Sequence, residues 1–465
     1  MAFSDLLFLF FFLPLTLAAF FLTPKRHRIL VLFASSLIWF AFSDTFYLPL
    51  LLLSIVIYYL AGQLISHWRT KPKLSRRVLW AALGLNLLGM LVFKFHLFSD
   101  LYITTSLNSL AIPLGISVYQ LQGISYLKDL YQDKVKVQKN FIRLATGIAF
   151  FPTVVCGPIT PYGEMQRQLR FTSPDSTRIA RGYHLFVRGL VKKLLFADTL
   201  INGWQVIQSM QAQQFSVLTA WLGVLCFAFG FTYFLSGYAD MGRGLARIFG
   251  MTLPVNFRQP FSAKSVVEFW RRFNLSLSSW ITRYALPKIG GGKEDRLIYL
   301  SACFKMVILW LLMGLWYGNH LFGVLWGLWI CFFILLESTF LSSLLNKLPG
   351  LVRRIYTLLV LLIGFVILSA QNAMQMIHYL GAMFGSTGVL ADDAGWFFLQ
   401  HYWFILLLAA FCCGSFWHKF YLWCLRRFPT LSRIGLGVAE TVGMLGSIFY
   451  LLSTHSDPCL SLMRF

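Results

Sequence analysis

Charge is scarce in this 465-residue chain. Asp, Glu, Lys and Arg together make 12% of it, about half of what a soluble domain carries. Acidic residues are scarcer still, 17 against 40 Lys and Arg, which leaves a net charge of +23. No CxxC pair, HExxH, GxSxG or P-loop occurs. Those gaps argue against zinc sites, metal hydrolysis, a hydrolase nucleophile elbow and P-loop phosphoryl transfer. The eight cysteines are scattered, mostly inside apolar runs, and read as small packing residues. No internal repeat with matching broken helices is visible, which argues against a secondary transporter.

What is abundant is apolar surface. The chain is 58% hydrophobic and 17% aromatic, with 46 Phe, more than a water-facing surface tolerates. The excess must face lipid. The cations gather in short loops between apolar runs, where they read as anchors near anionic headgroups on the cytoplasmic side. No nucleic-acid-binding signature accompanies them, so no nucleic-acid partner is expected; the expected partner of the surface is membrane lipid.

Apolar runs that read as spans fall at Leu6–Leu22, which is long enough to cross roughly 25 Å of hydrocarbon, and at Ile29–Phe42, Phe46–Ile65, Val78–Phe95, Val217–Phe234, Leu297–Leu312, Leu321–Leu336, Ile355–Leu368, Trp396–Phe416 and Ile434–Leu452. Met1 to Asp5 carries no cation, and Lys25, Arg26 and Arg28 follow the first apolar stretch. This is the reverse of a cleavable signal, so the stretch is expected to remain as the first span. The basic loops Lys25–Arg28 and Ser66–Arg77 fall two spans apart, which predicts an N-terminus outside.

Between residues 111 and 296 the apolar stretches shorten and are broken by Gly, Pro and charge, as in Ile112-Pro-Leu-Gly-Ile, Phe151-Pro-Thr and Gly157-Pro-Ile-Thr-Pro161. Broken backbone at membrane depth survives only when buried in protein or lining a cavity. The expected fold is therefore an all-α polytopic membrane protein: a ring of roughly ten or more transmembrane helices around broken, re-entrant and interfacial helices. We read it as one domain, 1–465, with peripheral spans over 6–95 and 297–452 and a polar core over 111–296.

Three polar clusters interrupt the apolar pattern. In Glu268-Phe-Trp-Arg-Arg-Phe-Asn-Leu-Ser-Leu-Ser-Ser-Trp280, a continuous helix would place Arg271 and Arg272 beside Glu268, and Trp270, Asn274 and Ser278 along one stripe. The stripe offers donors to a carbonyl or hydroxyl substrate; an amphipathic surface helix with snorkelling arginines gives the same pattern. In Ser236-Gly-Tyr-Ala-Asp240-Met-Gly-Arg243, Asp240 and Arg243 can pair at i,i+3, either as a structural ion pair or at a substrate site. In Gly314-Leu-Trp-Tyr-Gly-Asn-His320-Leu-Phe-Gly-Val-Leu-Trp-Gly327, the glycines let another backbone approach. His320 titrates in the range that a general base requires.

With these clusters the chain resembles the membrane-bound O-acyltransferases, most of all the bacterial branch containing the alginate O-acetylase and the D-alanyl transfer protein of teichoic-acid modification. The resemblance runs over the whole chain, in order: Phe3-Ser-Asp with Phe12-Leu-Pro14, Pro113-Leu-Gly-Ile-Ser-Val-Tyr119, Ile124-Ser-Tyr with Asp129-Leu-Tyr131, Phe150-Phe-Pro, Gly157-Pro-Ile159, Gly189-Leu-Val-Lys-Lys193, Ser236-Gly-Tyr-Ala-Asp-Met241, Asn256-Phe-Arg-Gln-Pro260, Glu268-Phe-Trp-Arg-Arg, Ser276-Leu-Ser278 and Asp457-Pro with Arg464-Phe465.

It implies a multi-pass enzyme of the bacterial inner membrane that moves an acyl group, acetyl in the favoured alginate-type reading, onto hydroxyls of an exported polysaccharide or envelope polymer. The donor would be a cytoplasmic thioester, acetyl-CoA or an acyl-carrier protein, acting as substrate with no permanently bound cofactor. Partners would be a periplasmic or secreted acyltransferase and the glycan-synthesis machinery. The branch keeps its catalytic histidine in Leu-Trp-His-Gly, whereas this chain reads Leu315-Trp316-Tyr317-Gly318. The Arg-Asp-Tyr that often follows the Trp280 position reads Thr282-Arg283-Tyr284. Tyr is a poor base near pH 7, its ordinary pKa being about 10. The implied catalytic set is thus His320, Tyr317 and Asn274, with Trp270, Arg271, Ser278, Trp316 and Asp240 around the substrate and no metal. The alternative is a catalytically degenerate relative that serves as a scaffold or acyl conduit in an envelope-modification complex.

Overall fold

The computed structural model describes residues 1–94, 115–169, 174–210, 215–285, 296–318, 320–454 and 458–459. Pro113, His455, the terminal Asp457 and Arg464-Phe465, and the side chain of His320 lie outside that set. Among the described residues every regular element is helical. Seven helices are long and apolar enough to cross a membrane, and Phe8–Leu22, Phe141–Val154 and Cys303–Tyr317 are shorter apolar helices. The protein is an all-α polytopic membrane protein.

Expected spans and helices coincide closely, with one merger. The runs Ile29–Phe42 and Phe46–Ile65 fall in one 40-residue helical stretch, Arg28–His67. It is not one straight rod. Asp44 leaves helical geometry at φ −160°, ψ 69°, and a 3₁₀ turn follows at Thr45–Tyr47. The resulting helices have 17 and 20 residues, and the longer rises about 30 Å, one hydrocarbon thickness. Outward-facing positions are apolar, among them Phe10, Phe11, Leu53, Phe332, Phe404 and Phe449, as lipid contact requires.

The chain forms two compact units, one made of 1–190 with 237–254 and the other of 191–236 with 255–459. In the first unit the helix Ile116–Tyr131 is buried along nearly its whole length although it carries Gln120, Gln122, Ser125 and Asp129. Polar groups in such a place need partners. Tyr58 Oη donates to Gln120 Oε1, Gln120 Nε2 donates to Ser54 Oγ at 3.3 Å, and Ser125 Oγ accepts the Tyr162 N–H at 2.9 Å. This helix of the broken centre is thus buried in protein with its polar groups partnered. One break is at Gly157, whose φ of 82° suits glycine and precedes a cis Pro158.

In the second unit the helices Arg296–Tyr317 and His320–Leu336 form a tight hairpin. Its seam is glycine on both sides. A Cβ on Gly323 would lie 2.5 Å from the Gly314 carbonyl oxygen and 3.0 Å from Gly318 Cα. The backbone approached by these four glycines is therefore their own hairpin partner. Gly323→Ala is expected to force the helices apart and cost about 1–3 kcal/mol, read as a lower melting temperature in detergent. Gly435→Ala, where a Cβ meets nothing within 4 Å, is expected to leave that temperature unchanged. Equal melting of the two variants would contradict the seam.

Candidate acyl-transfer site

The segment from Val266 to Tyr284 is two helices, Val266–Trp270 and Leu275–Tyr284. This corrects the continuous helix expected from the sequence. Asn274 stands between them in the left-handed region, φ 45° and ψ 57°, a conformation Asn adopts more readily than most residues. Asn256, from elsewhere in the chain, holds the break, and Glu337 caps the start of the first helix. The Asn256 carbonyl accepts the Leu275 N–H at 3.0 Å and its Oδ1 accepts the Ser276 N–H at 2.9 Å. Glu337, a carboxylate buried within an apolar span, accepts the N–H groups of Val266 at 2.8 Å and Val267 at 3.0 Å. Together they fix where Trp270 and Asn274 stand.

With the helix broken, the single stripe of Trp270, Asn274 and Ser278 does not form. Instead Asn274 turns its amide to another helix, and its Nδ2 donates to Tyr317 Oη. Both residues are buried. Around them stand five aromatic rings. Trp270 lies 4.7 Å from Trp310 and 5.4 Å from Trp326 between ring centroids. Tyr317 lies 5.7 Å from Trp326, 5.7 Å from Phe231 and 6.2 Å from Phe273.

This box contains unspent hydrogen-bonding groups. Trp270 Nε1, Trp310 Nε1, Asn274 Oδ1 and Asn256 Nδ2 are buried and have no hydrogen-bond partner. Each such group costs about 1–3 kcal/mol if nothing meets it, so their concentration in one aromatic cluster calls for a ligand. Three N–H donors suit a carbonyl oxygen that gains negative charge. The free Asn274 Oδ1 suits an incoming hydroxyl.

The other expected residues fall elsewhere. Arg272, not Arg271, neutralises Glu268, and it also donates to Ser262 Oγ at 2.6 Å, while Arg271 is exposed. Both arginines lie in the four-residue turn between the helices, 271–274. Ser278 is half-buried, and its N–H reaches the Asn274 carbonyl at 3.2 Å. Trp316 is half-buried on the last turn before Tyr317. Asp240 belongs to the first unit, where its carboxylate sits between Arg243 Nη1 at 2.9 Å and Arg188 Nη2 at 3.3 Å. That is the i,i+3 ion pair expected, joined by a second arginine.

Tyr317 and His320 do not share one helix. Tyr317 ends the helix Arg296–Tyr317, Gly318 closes its last turn by donating to the Gly314 carbonyl at 2.9 Å, and His320 opens the next helix. The two residues therefore flank the hairpin tip and do not stack on a common face.

Trp310, Trp326, Phe273, Asn256 and Glu337 were not singled out from the sequence. Signals existed for two of them. Trp310 precedes Tyr317 by seven positions, two helical turns on one face, and Glu337 is an ionisable residue in an apolar run, expensive enough to mark a role.

The family model described as MBOAT, membrane-bound O-acyltransferase family, matches residues 137–355. The probable alginate O-acetylase of Pseudomonas syringae pv. tomato is 30% identical over 408 residues, covering 84% of this chain and 76% of that protein. The peptidoglycan O-acetyltransferase of Helicobacter pylori is 29% identical over 371 residues, covering 70% and 68%. The teichoic acid D-alanyltransferase of Bacillus subtilis is 26% identical over 227 residues, covering 46% and 56%. The 30% identity to the first of these relatives, with the apolar spans, shows that the chain belongs to the membrane-bound O-acyltransferase family and is an integral-membrane O-acyltransferase.

Proposed function

We propose that the protein transfers an acetyl group from a cytoplasmic thioester, acetyl-CoA or an acyl-carrier protein, to hydroxyls of an exported polysaccharide of the alginate type. The observation that carries this reading is the set of unpaired N–H and C=O groups in the Trp270–Trp310–Asn274–Tyr317 box. The relatives of greatest coverage bear the names of acetyl-transferring enzymes acting on alginate and peptidoglycan, which favours acetyl over D-alanyl.

The chemistry runs in two halves. His320 takes the proton from the acceptor hydroxyl as its oxygen attacks the thioester carbonyl, forming the C–O bond. The negative charge that develops on the carbonyl oxygen is met by indole N–H groups of Trp270 or Trp310, while Asn274 Oδ1 holds the incoming hydroxyl. Collapse breaks the C–S bond, and the departing thiolate recovers the proton from His320. Arg271, Ser278 and Trp316 then line the approach of donor or acceptor. The basic loops favour a donor side in the cytoplasm and an N-terminus outside the inner membrane. A periplasmic or secreted acyltransferase and the glycan-synthesis machinery are the partners that fit such an outlet.

The test is transfer by the purified chain in proteoliposomes, using labelled acetyl-CoA and a polyuronate, with peptidoglycan fragments in parallel. Alkali-labile label on the polyuronate is expected. Label only on peptidoglycan would overturn the alginate-type acceptor. No transfer from the native chain, with transfer appearing in Tyr317→His, would overturn turnover by this chain in favour of an acyl conduit.

A further inference from the structure

The helix Pro72–Lys94 begins in a basic loop and continues as an apolar span. Its sequence places Lys73, Arg76, Arg77 and Trp80 at offsets of three, four and seven, which is one helical face. In the structure these four residues line an open depression of about 410 Å³, within the range of small-ligand clefts. All four are exposed, Trp80 by 57%. Three cations at a helix N-terminus, where the backbone dipole adds positive potential, form a strong anion site, and Trp is the residue that settles at headgroup level.

The same face continues past Trp80 as an apolar track. Ala81 and Gly84 are exposed, and a Cβ on Gly84 would meet nothing within 4 Å. Beyond them Leu85, Leu88 and Leu91 are exposed. The small pair leaves a notch between Trp80 and the leucines. From Trp80 to Leu91 the helix rises about 16 Å, close to half of the roughly 30 Å hydrocarbon core. A cationic head, an indole collar and a notched apolar track one leaflet long have the dimensions of one phospholipid.

We infer that this face holds a single anionic phospholipid, its phosphate against Lys73, Arg76 and Arg77, its glycerol beside Trp80 and one acyl chain over the Ala81–Gly84 notch. Free phosphate would satisfy the cations but leave the collar and the track unused.

Native mass spectrometry of the delipidated full chain, titrated with phosphatidylglycerol, phosphatidylcholine or inorganic phosphate, tests this. Phosphatidylglycerol is expected to bind about tenfold or more tightly than phosphatidylcholine. Lys73→Gln/Arg76→Gln/Arg77→Gln is expected to erase that preference while leaving phosphatidylcholine binding unchanged, which also reports an intact fold. Gly84→Leu fills the notch without touching charge, and is expected to weaken phosphatidylglycerol binding. Retention of the preference in the triple variant would overturn the site. Full displacement of phosphatidylglycerol by inorganic phosphate would overturn the lipid in favour of a small anion.

Discussion

His320→Ala is expected to lower the rate of acyl transfer by about 10²–10⁴, the usual contribution of a positioned general base. The argument starts from the acceptor. A sugar hydroxyl is a weak nucleophile until its proton leaves, so the chamber needs a group that is neutral and basic near pH 7. Tyr317 occupies the Leu-Trp-Tyr-Gly position, but a phenol ordinarily titrates near 10 and histidine near 6.5. His320 opens the helix immediately after the hairpin tip that Tyr317 ends. The loss should fall mainly on kcat, since the proton moves in the transition state and not on binding. His401→Ala is the control, because that ring is exposed and bonded to its own helix at the Phe397 carbonyl. Equal rates for His320→Ala and the native chain would remove His320 from the mechanism.

Asn274→Gly is expected to lower transfer by about 10²-fold, because it removes both the Oδ1 that holds the incoming hydroxyl and the amide that fixes Tyr317 Oη. Glycine is the informative substitution because Asn274 is left-handed. Glycine adopts that conformation freely, so the turn between Val266–Trp270 and Leu275–Tyr284 is kept while the amide is lost. Asn274→Ala adds a backbone penalty of about 1–2 kcal/mol and confounds the two effects. Tyr317→Phe removes the acceptor of the Asn274 amide and leaves the ring in the aromatic box. If Asn274→Gly melts like the native protein and transfers acyl groups at the native rate, the Asn274–Tyr317 pair has no part in catalysis.

These two residues also mark the limit of what the sequence made legible. Apolar runs placed the spans, because lipid contact selects composition over whole helices. The glycines at 314, 318, 323 and 327 announced a close backbone approach, and the hairpin supplies it. Motif order announced the family. The break at Asn274 was not legible, since Phe-Asn-Leu-Ser-Leu-Ser carries no Gly or Pro and reads as helix. What breaks it is tertiary: Asn256 takes over the N–H groups of Leu275 and Ser276, which a continuous helix would have given to Arg271 and Arg272. Likewise nothing local marks where the helix of Tyr317 ends, yet its last turn closes at Gly318 and a new helix begins at His320. The meeting of Trp270, Trp310 and Trp326 depends on three helices packing together, which no local pattern encodes.

The acyl-transfer box is tested most directly by a structure of the purified chain with a non-hydrolysable acyl-thioester analogue. The analogue's carbonyl group is expected beside the Asn274–Tyr317 pair, within hydrogen-bonding distance of Trp270 Nε1 or Trp310 Nε1. An analogue bound at full occupancy away from these residues, with both indole N–H groups still unmet, would contradict the account.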